Sequence, residues 1–387
     1  MVNYYRNIPL LYVYSALIKR VSMPIIIIYF LLNNLNYTQI GILLAVTAVV
    51  VLSTELHGGV FADLHGKKKS LLLHSVFGAL TMFLYFIGDS FAYFLLAALA
   101  YGIAGAFVTG TRNALLYDTL VKLKRTSEFK KFNGRVVLYS HVINALVLLT
   151  IPVIYVIDTK LPFLIGIFFF VGSFISASLF VEPTKLKKQK DTLSLYNKKL
   201  LESFKEIGSN KKLLFALLVN TIVASFIFMS ATFTQPLLLI SGLSVIYFGV
   251  IYAIMRVVMG LGGETIHRLE KHIGFKGLLF LGFGLILLSF LGQAFGFGLI
   301  IIIAVIITRF AEGFNRIVLE DEINKNIKSN NRTTILSISS FTKQPLLAAL
   351  LFVFGITADL IGVQSMYVYA IITFIVISGL VFMIFRK

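Results

Sequence analysis

The 387-residue chain contains no cysteine and no tryptophan. Without thiols it has neither disulfides nor thiolate metal ligands, and its six histidines show no HxxH or HExxH spacing, so no metal or redox cofactor is expected. Charge is also scarce, at 13% of residues, while 58% are hydrophobic, well above the roughly 45–50% of a soluble domain. Of the few charges, 35 are Lys or Arg and 17 are Asp or Glu. A basic excess on a soluble chain would suggest a nucleic-acid partner. Here the cations are placed by the apolar runs between them, and no nucleic acid is implied.

Those apolar runs are what the chain has in abundance. Each is about 20 residues, enough for a helix to cross a hydrocarbon core of about 30 Å, so the lipid bilayer is the expected surroundings. Twelve are expected, over roughly 8–32, 38–60, 70–88, 91–117, 135–157, 161–181, 211–240, 243–264, 274–292, 296–320, 333–357 and 363–385. The first is too long and lacks the small-residue cleavage site of a signal peptide, so it reads as a spanning helix. Most Lys and Arg fall at the termini or in loops after even-numbered spans, and among the loops after odd spans Lys160 is alone. That asymmetry places both termini and the long loops in the cytoplasm. The fold class is therefore an all-α membrane protein of twelve transmembrane helices.

The longest polar segment follows the sixth span and divides the chain into residues 1–182, a basic linker 183–210, and residues 211–387. Within the linker Leu193, Tyr196, Leu200, Phe204 and Ile207 recur in steps of three and four between lysines, the pattern of a helix lying on a membrane surface. The halves echo one another. "GTRNALLYD" (Gly110 to Asp118) closes the fourth span and "GFNRIVLED" (Gly313 to Asp321) closes the tenth. Arg135 and Arg332 open the next spans, which end at Asp158 and Asp359. A charged turn bracketed by Gly263 and Gly274 echoes the stretch "GGVFADLHGKKKS", Gly58 to Ser70. Such ordered repetition points to a duplicated six-helix unit, a common plan for transporters.

"GVFADLHGKK", Gly59 to Lys68, resembles the signature between the second and third helices of the major facilitator superfamily, and Glu55 extends the match toward its bacterial exporter-like members. The resemblance implies two pseudo-symmetric six-helix bundles around a central cavity, with secondary transport by alternating access. It also implies a conformational latch of Gly59, Asp63, Gly66, Lys67, Lys68, Arg112 and Asp118, in which Asp63 meets the start of the eleventh helix near Arg332 to Thr334 and Lys67 pairs with Asp118. From the residues alone, glycines 58, 59 and 66 permit a tight turn, and Asp63 is an anion suited to a helix N-terminus. The competing reading of the three lysines is a topological stop signal.

An ionisable group inside a membrane costs about 2.5–3.5 kcal/mol at the midplane, so each is a functional candidate. Lys19, Arg20, Arg112, Arg256, Arg309, Glu312, Arg316 and Lys343 fall inside spans, and spans three, six, nine and twelve carry no Lys, Arg, Asp or Glu away from their ends. Glu312 is one turn from both Arg309 and Arg316 and can pair with either. It is the leading proton site, followed by Glu55 and His141. Lys19, Arg20, Arg256, Arg309, Lys343 and the neighbouring Gln344 are the candidates for contacting substrate, and their positive excess suits an anion. Ser140, Asn144, Asn220, Ser225 and Gln235 are further polar candidates, each more often a helix-to-helix hydrogen bond. The expectation is a proton-coupled transporter of a small organic solute in a bacterial cytoplasmic membrane, not an enzyme, with efflux modestly favoured. The fifth span lacks the glycine-rich Gly-Pro motif of drug–proton antiporters, which keeps open an importer or exchanger of an anionic metabolite. A receptor-like or enzymatic polytopic protein is the alternative of another class.

Overall fold

Hydrocarbon offers no partner to a free N–H or C=O, so an apolar run crossing it has to close its hydrogen bonds internally. In the computed structural model, which describes residues 3–18, 21–183, 201–327 and 332–385, the regular structure of the described residues is helical throughout. The first six crossings are built from α1 (Asn7–Leu17) with α2 (Ile26–Leu32), α3 (Tyr37–His65), α4 (Lys67–Ile87), α5 (Phe91–Val108) with α6 (Thr111–Lys122), α7 (Phe129–Ile157) and α8 (Leu161–Ser178). Residues 201–209 form α9. The last six are α10 (Lys211–Thr232) with α11 (Thr234–Ile240), α12 (Phe248–Glu264), α13 (Ile266–Phe295), α14 (Leu299–Lys325), α15 (Arg332–Ile361) and α16 (Val363–Phe385).

Among the described residues ten crossings are long and apolar enough to span by composition alone. The other two are α14, which carries Arg309, Glu312 and Arg316, and the first crossing, which is broken. That break departs from the continuous 8–32 helix the hydropathy suggests. Helix α1 stops at Leu17, residues 21–25 are turns, and α2 resumes at Ile26. Pro24 supplies the reason, since it has no N–H to donate and pushes the residue before it out of the helical region. The fourth crossing breaks at Gly110, whose φ of +74° ends α5 and starts α6, and the seventh breaks at Phe233, two residues after which Gln235 and Pro236 lie in the first turn of α11.

The Gly58 to Ser70 stretch is also not the loop its charges suggest. Helix α3 continues to His65, α4 begins at Lys67, and Gly66 alone makes the turn with φ 100° and ψ 146°. Gly58 is helical and serves packing, because a Cβ there would overlap the Ala106 carbonyl of α5. Gly59 has open space around it.

The chain gathers into two units, Met1–Tyr29 with Val46–Ser194, and Phe30–Ala45 with Leu195–Lys387. Helix α3 is thus shared, its first nine residues belonging with the second unit and the remainder with the first. In the first unit α4 packs on α5 and α8, and α1 on α7 and α8, around Tyr14, Leu71, Leu115, Phe132 and Phe180. Asn7, fully buried, donates to Thr119 Oγ1 (3.1 Å) and the Val181 carbonyl (2.8 Å) and accepts from the Val181 N–H (2.9 Å). In the second unit α14 packs on α10, α12 and α13, and α10 on α15. Of the expected surface helix, Leu193, Tyr196 and Leu200 lie outside the described residues. Phe204 of α9 is exposed and Ile207 is buried against Leu213, Ile323 and Ile335.

Candidate functional site

Because Gly66 turns the chain in one residue, Lys67 enters the first turn of α4 buried and directed at α6. Its Nζ lies 2.7 Å from Asp118 Oδ2, with the two side chains 11% and 24% exposed. The next residue is held as well, since the Lys68 N–H donates to Glu182 Oε2 at 2.9 Å, a carboxylate satisfying one of the free donors of α4. Asp63 is half-buried three residues before the turn. Arg332 and Thr333, the expected partners of Asp63, have side chains outside the described residues. Lys19, Arg20 and the side chain of Glu55 also lie outside them.

Arg112, half-buried in the first turn of α6, lies within electrostatic reach of Tyr14 and of His74. His74 is a residue the sequence reading passed over. It is buried in α4, its Nδ1 is 2.9 Å from the Ala104 carbonyl, and its Nε2 has no hydrogen-bond partner among the described residues. Against a carbonyl the Nδ1 has to carry the proton. The available signal was a lone histidine in a span otherwise free of charge.

In the second unit the charges collect on α14. Arg309 Nη1 donates to Glu312 Oε2 at 2.7 Å, and the side chains are 15% and 33% exposed. Arg316 turns to Glu320 instead, at 3.7 Å. Helix spacing allowed Glu312 either partner, and it holds Arg309. Lys343, on α15 beside Gln344, is half-buried and within electrostatic reach of Glu320 and Arg316. Arg256 is on the exposed face of α12. Next to Arg309 in the chain, Thr308 ends a buried polar chain, in which Tyr367 donates to Ser230 Oγ (3.3 Å), Ser230 donates to Gln293 Oε1 (2.9 Å), and Gln293 donates to Thr308 Oγ1 (2.7 Å). It ties α10, α13, α14 and α16 together.

The remaining polar candidates divide by their partners. Asn220 donates to Ser339 Oγ (3.0 Å) and Ser225 to the Lys343 carbonyl (3.3 Å), both joining α10 to α15. Gln235 approaches the Tyr252 hydroxyl at 3.4 Å. On α7 His141 is exposed, while Ser140 and Asn144 are half-buried. Among the described residues no group of three or more histidine and carboxylate side chains is arranged to hold a metal ion.

The fold has counterparts among solved structures. The nucleoside transporter NupG, as a point mutant, superposes with a TM-score of 0.80 over 99% of this chain and 98% of its own, at 14% identity. A bacterial homologue of the human lysosomal transporter Spinster, inward-facing and unoccupied, superposes with a TM-score of 0.74 over 100% and 98%, also at 14% identity. In sequence, the uncharacterized MFS-type transporter YxaM of Bacillus subtilis (strain 168) is 23% identical over 94% of this chain and 91% of its own. The sequence pattern of the Major Facilitator Superfamily matches residues 10–350. The chain, a multi-pass helical membrane protein with this fold, belongs to the Major Facilitator Superfamily of transporters.

Proposed function

We propose that the protein is a proton-coupled secondary transporter of a small organic solute, working by alternating access in a bacterial cytoplasmic membrane with both termini inside. The observation that carries the coupling is the Arg309–Glu312 pair, a 2.7 Å contact that follows directly on the apolar first ten residues of α14. A charge at that depth is costly, and an ion pair reduces the cost only while it stays together. Protonating Glu312 removes the attraction and frees Arg309 for an anionic group, so the proton on Glu312 and the anion on Arg309 favour each other's binding. This exchange couples the two without any covalent step. Lys67 and Asp118, with Asp63 nearby, act as the latch that stabilises one of the alternating states.

Efflux is the direction we favour, on the Glu55 to Lys68 pattern. A second reading, uptake or exchange of an anionic metabolite, is favoured by the cations Arg256, Arg309 and Lys343, which outnumber the single carboxylate Glu312 at comparable depth. A carboxylate or phosphate is the group a guanidinium grips bidentately. Purified protein in liposomes with an imposed pH gradient tests both. Gradient-driven movement of solute is expected in the parent and absent in Glu312→Gln, while solute exchange persists because it needs no net proton movement. Full gradient-driven accumulation by Glu312→Gln removes Glu312 from the coupling, and robust transport of lipophilic cations, unaffected by Lys343→Ala, removes the anionic reading.

A further inference from the structure

The fourth crossing is cut in the first repeat, and its counterpart in the second is not. At Gly110 the backbone takes φ +74° and ψ −34°, between the end of α5 at Val108 and the start of α6 at Thr111. The matching glycine, Gly313, lies inside the unbroken α14, where a Cβ would overlap the Met259 carbonyl. Close packing therefore accounts for Gly313. A Cβ at Gly110 would meet nothing within 4 Å, and both Thr109 and Gly110 are exposed, so the break opens onto free space.

A helix that restarts inside a span presents donors there. Among the described residues no side chain caps α6, and the first backbone bond into it runs from the Ala114 N–H to the Gly110 carbonyl at 3.0 Å. The N–H groups of Thr111, Arg112 and Asn113 are left without a helical acceptor, at the end where the dipole favours negative charge. Two side chains at this end lack an acceptor as well. Thr111 is 4% exposed, and its hydroxyl has no hydrogen-bond partner among the described residues. Arg112 is half-buried, and the groups within its electrostatic reach, Tyr14 and His74, bring no negative charge. His74 Nε2 is itself buried and unpartnered among the described residues.

We propose that the open start of α6, with the Arg112 guanidinium and the Thr111 hydroxyl, is a binding site for an oxyanion, the carboxylate or phosphate of a small water-soluble solute. It rests on the anionic reading above and adds a receiving group in the first unit to the cations Arg256, Arg309 and Lys343 of the second. An oxyanion accepts from every donor present, and a guanidinium can grip it with two parallel hydrogen bonds. A shielded cation without a counter-ion is costly, so a bound anion supplies what the neighbouring side chains do not. Depth favours a solute over a lipid headgroup. Helix α6 runs 12 residues to Lys122, about 18 Å at a rise of about 1.5 Å per residue, so its start lies well below the cytoplasmic headgroup layer. Half-helix N-termini within the membrane are where transporters of other folds receive anionic groups.

The test uses the absence of cysteine. Thr109→Cys, exposed just before the break, reports by the rate at which a hydrophilic maleimide labels the protein in detergent. At constant ionic strength, inorganic phosphate or benzoate is expected to slow labelling at least threefold relative to chloride. Thr111→Val keeps the shape and deletes a hydroxyl that has no partner, so a merely structural Thr111 predicts no loss of stability and no change in protection. The site predicts that the anion concentration giving half-protection rises at least fivefold in Thr111→Val, and that protection disappears in Arg112→Gln at an unchanged elution volume. Arg316→Gln, at an arginine 60% exposed on α14, should leave protection intact. No slowing by either anion overturns the proposal, as does full protection in both Thr111→Val and Arg112→Gln. Slowing by phosphatidylglycerol micelles but by neither soluble anion overturns the solute assignment. The readout involves no gradient and no transport, so this site can fail while anion transport through Arg309 and Lys343 stands.

Discussion

The two helical hairpins that interrupt the repeats share a backbone and differ in chemistry. Each turns on one glycine with positive φ, Gly66 at 100° and Gly274 at 60°. Each faces an aspartate eight residues beyond a second glycine, Asp118 after Gly110 and Asp321 after Gly313. After Gly66 comes Lys67, which reaches across to Asp118 at 2.7 Å and is largely buried. After Gly274 comes Phe275, so Asp321 has no such partner and pairs instead with Lys325 on its own helix, at 2.5 Å, with the side chains 49% and 55% exposed. Lys325 also reaches Glu270 at 3.3 Å, beside a cavity of about 280 Å³ that Phe275 lines. Exposed pairs are worth little, even where, as from Lys325 to Glu270, one crosses between helices, whereas a shielded pair between helices resists their separation. The duplication kept the turn in both halves and the holding charge in one.

The largest expected effect is therefore at Asp118. Asp118→Ala leaves Lys67 charged and shielded, which should destabilise the purified protein by about 3 kcal/mol, seen as a drop in thermal midpoint. Asp321→Asn supplies the contrast and should cost under about 1 kcal/mol by the same measurement. Equal losses would mean that the two hairpins do not differ as described. Between these lie the turns themselves. Gly66→Ala and Gly274→Ala each force a side chain into a backbone conformation that glycine alone accepts readily, at about 2 kcal/mol each, and their losses should match because the backbone is what the halves share.

The smallest effect concerns pH. The hydrogen bonds that Lys325 donates to Asp321 and, secondarily, to Glu270 hold its ammonium above its ordinary range. A raised value means that its contribution is fully present below the unfolded pKa and is lost only as pH rises through the folded one. Both are alkaline, so Lys325→Met should alter the melting temperature by the same small amount at pH 6 and pH 8. A difference between those two pH values would place another titrating group in the pair.

What could be read from sequence was what repeats locally. Hydropathy located the twelve crossings, and the motif from Gly59 to Lys68 named the family, because both are written in adjacent residues. The break in the first crossing had a local sign in Pro24 that the surrounding hydropathy outweighed. The charged residues from Gly58 to Ser70 suggested a loop, yet most are helical, because a membrane helix can run past the apolar core into the polar layer with its hydrogen bonds intact. Contacts across the chain left no such sign. Asp359 reads as an aspartate at a span end, and nothing near it in sequence shows that it accepts from the Tyr37 and Thr38 N–H groups. Glu182 likewise gives no hint that it caps at Lys68. The pairing of Glu312 with Arg309 rather than Arg316 was open for a related reason, since spacing permits both and only the tertiary surroundings choose.

Asn7 bears on how the protein is made. Its amide uses both faces on Val181 and its remaining hydrogen on Thr119, so it joins the first helix of the chain to the exit of the sixth. A ribosome delivers these residues in order, and domains close as their last elements emerge. Residue 7 enters the membrane without the partners that complete its hydrogen bonds and has to wait until residue 181 has been synthesised. Until then a carboxamide meant for a dry interior has to stay near water, which makes the join at Val181 the step that marks the first six helices as finished, before the second set begins.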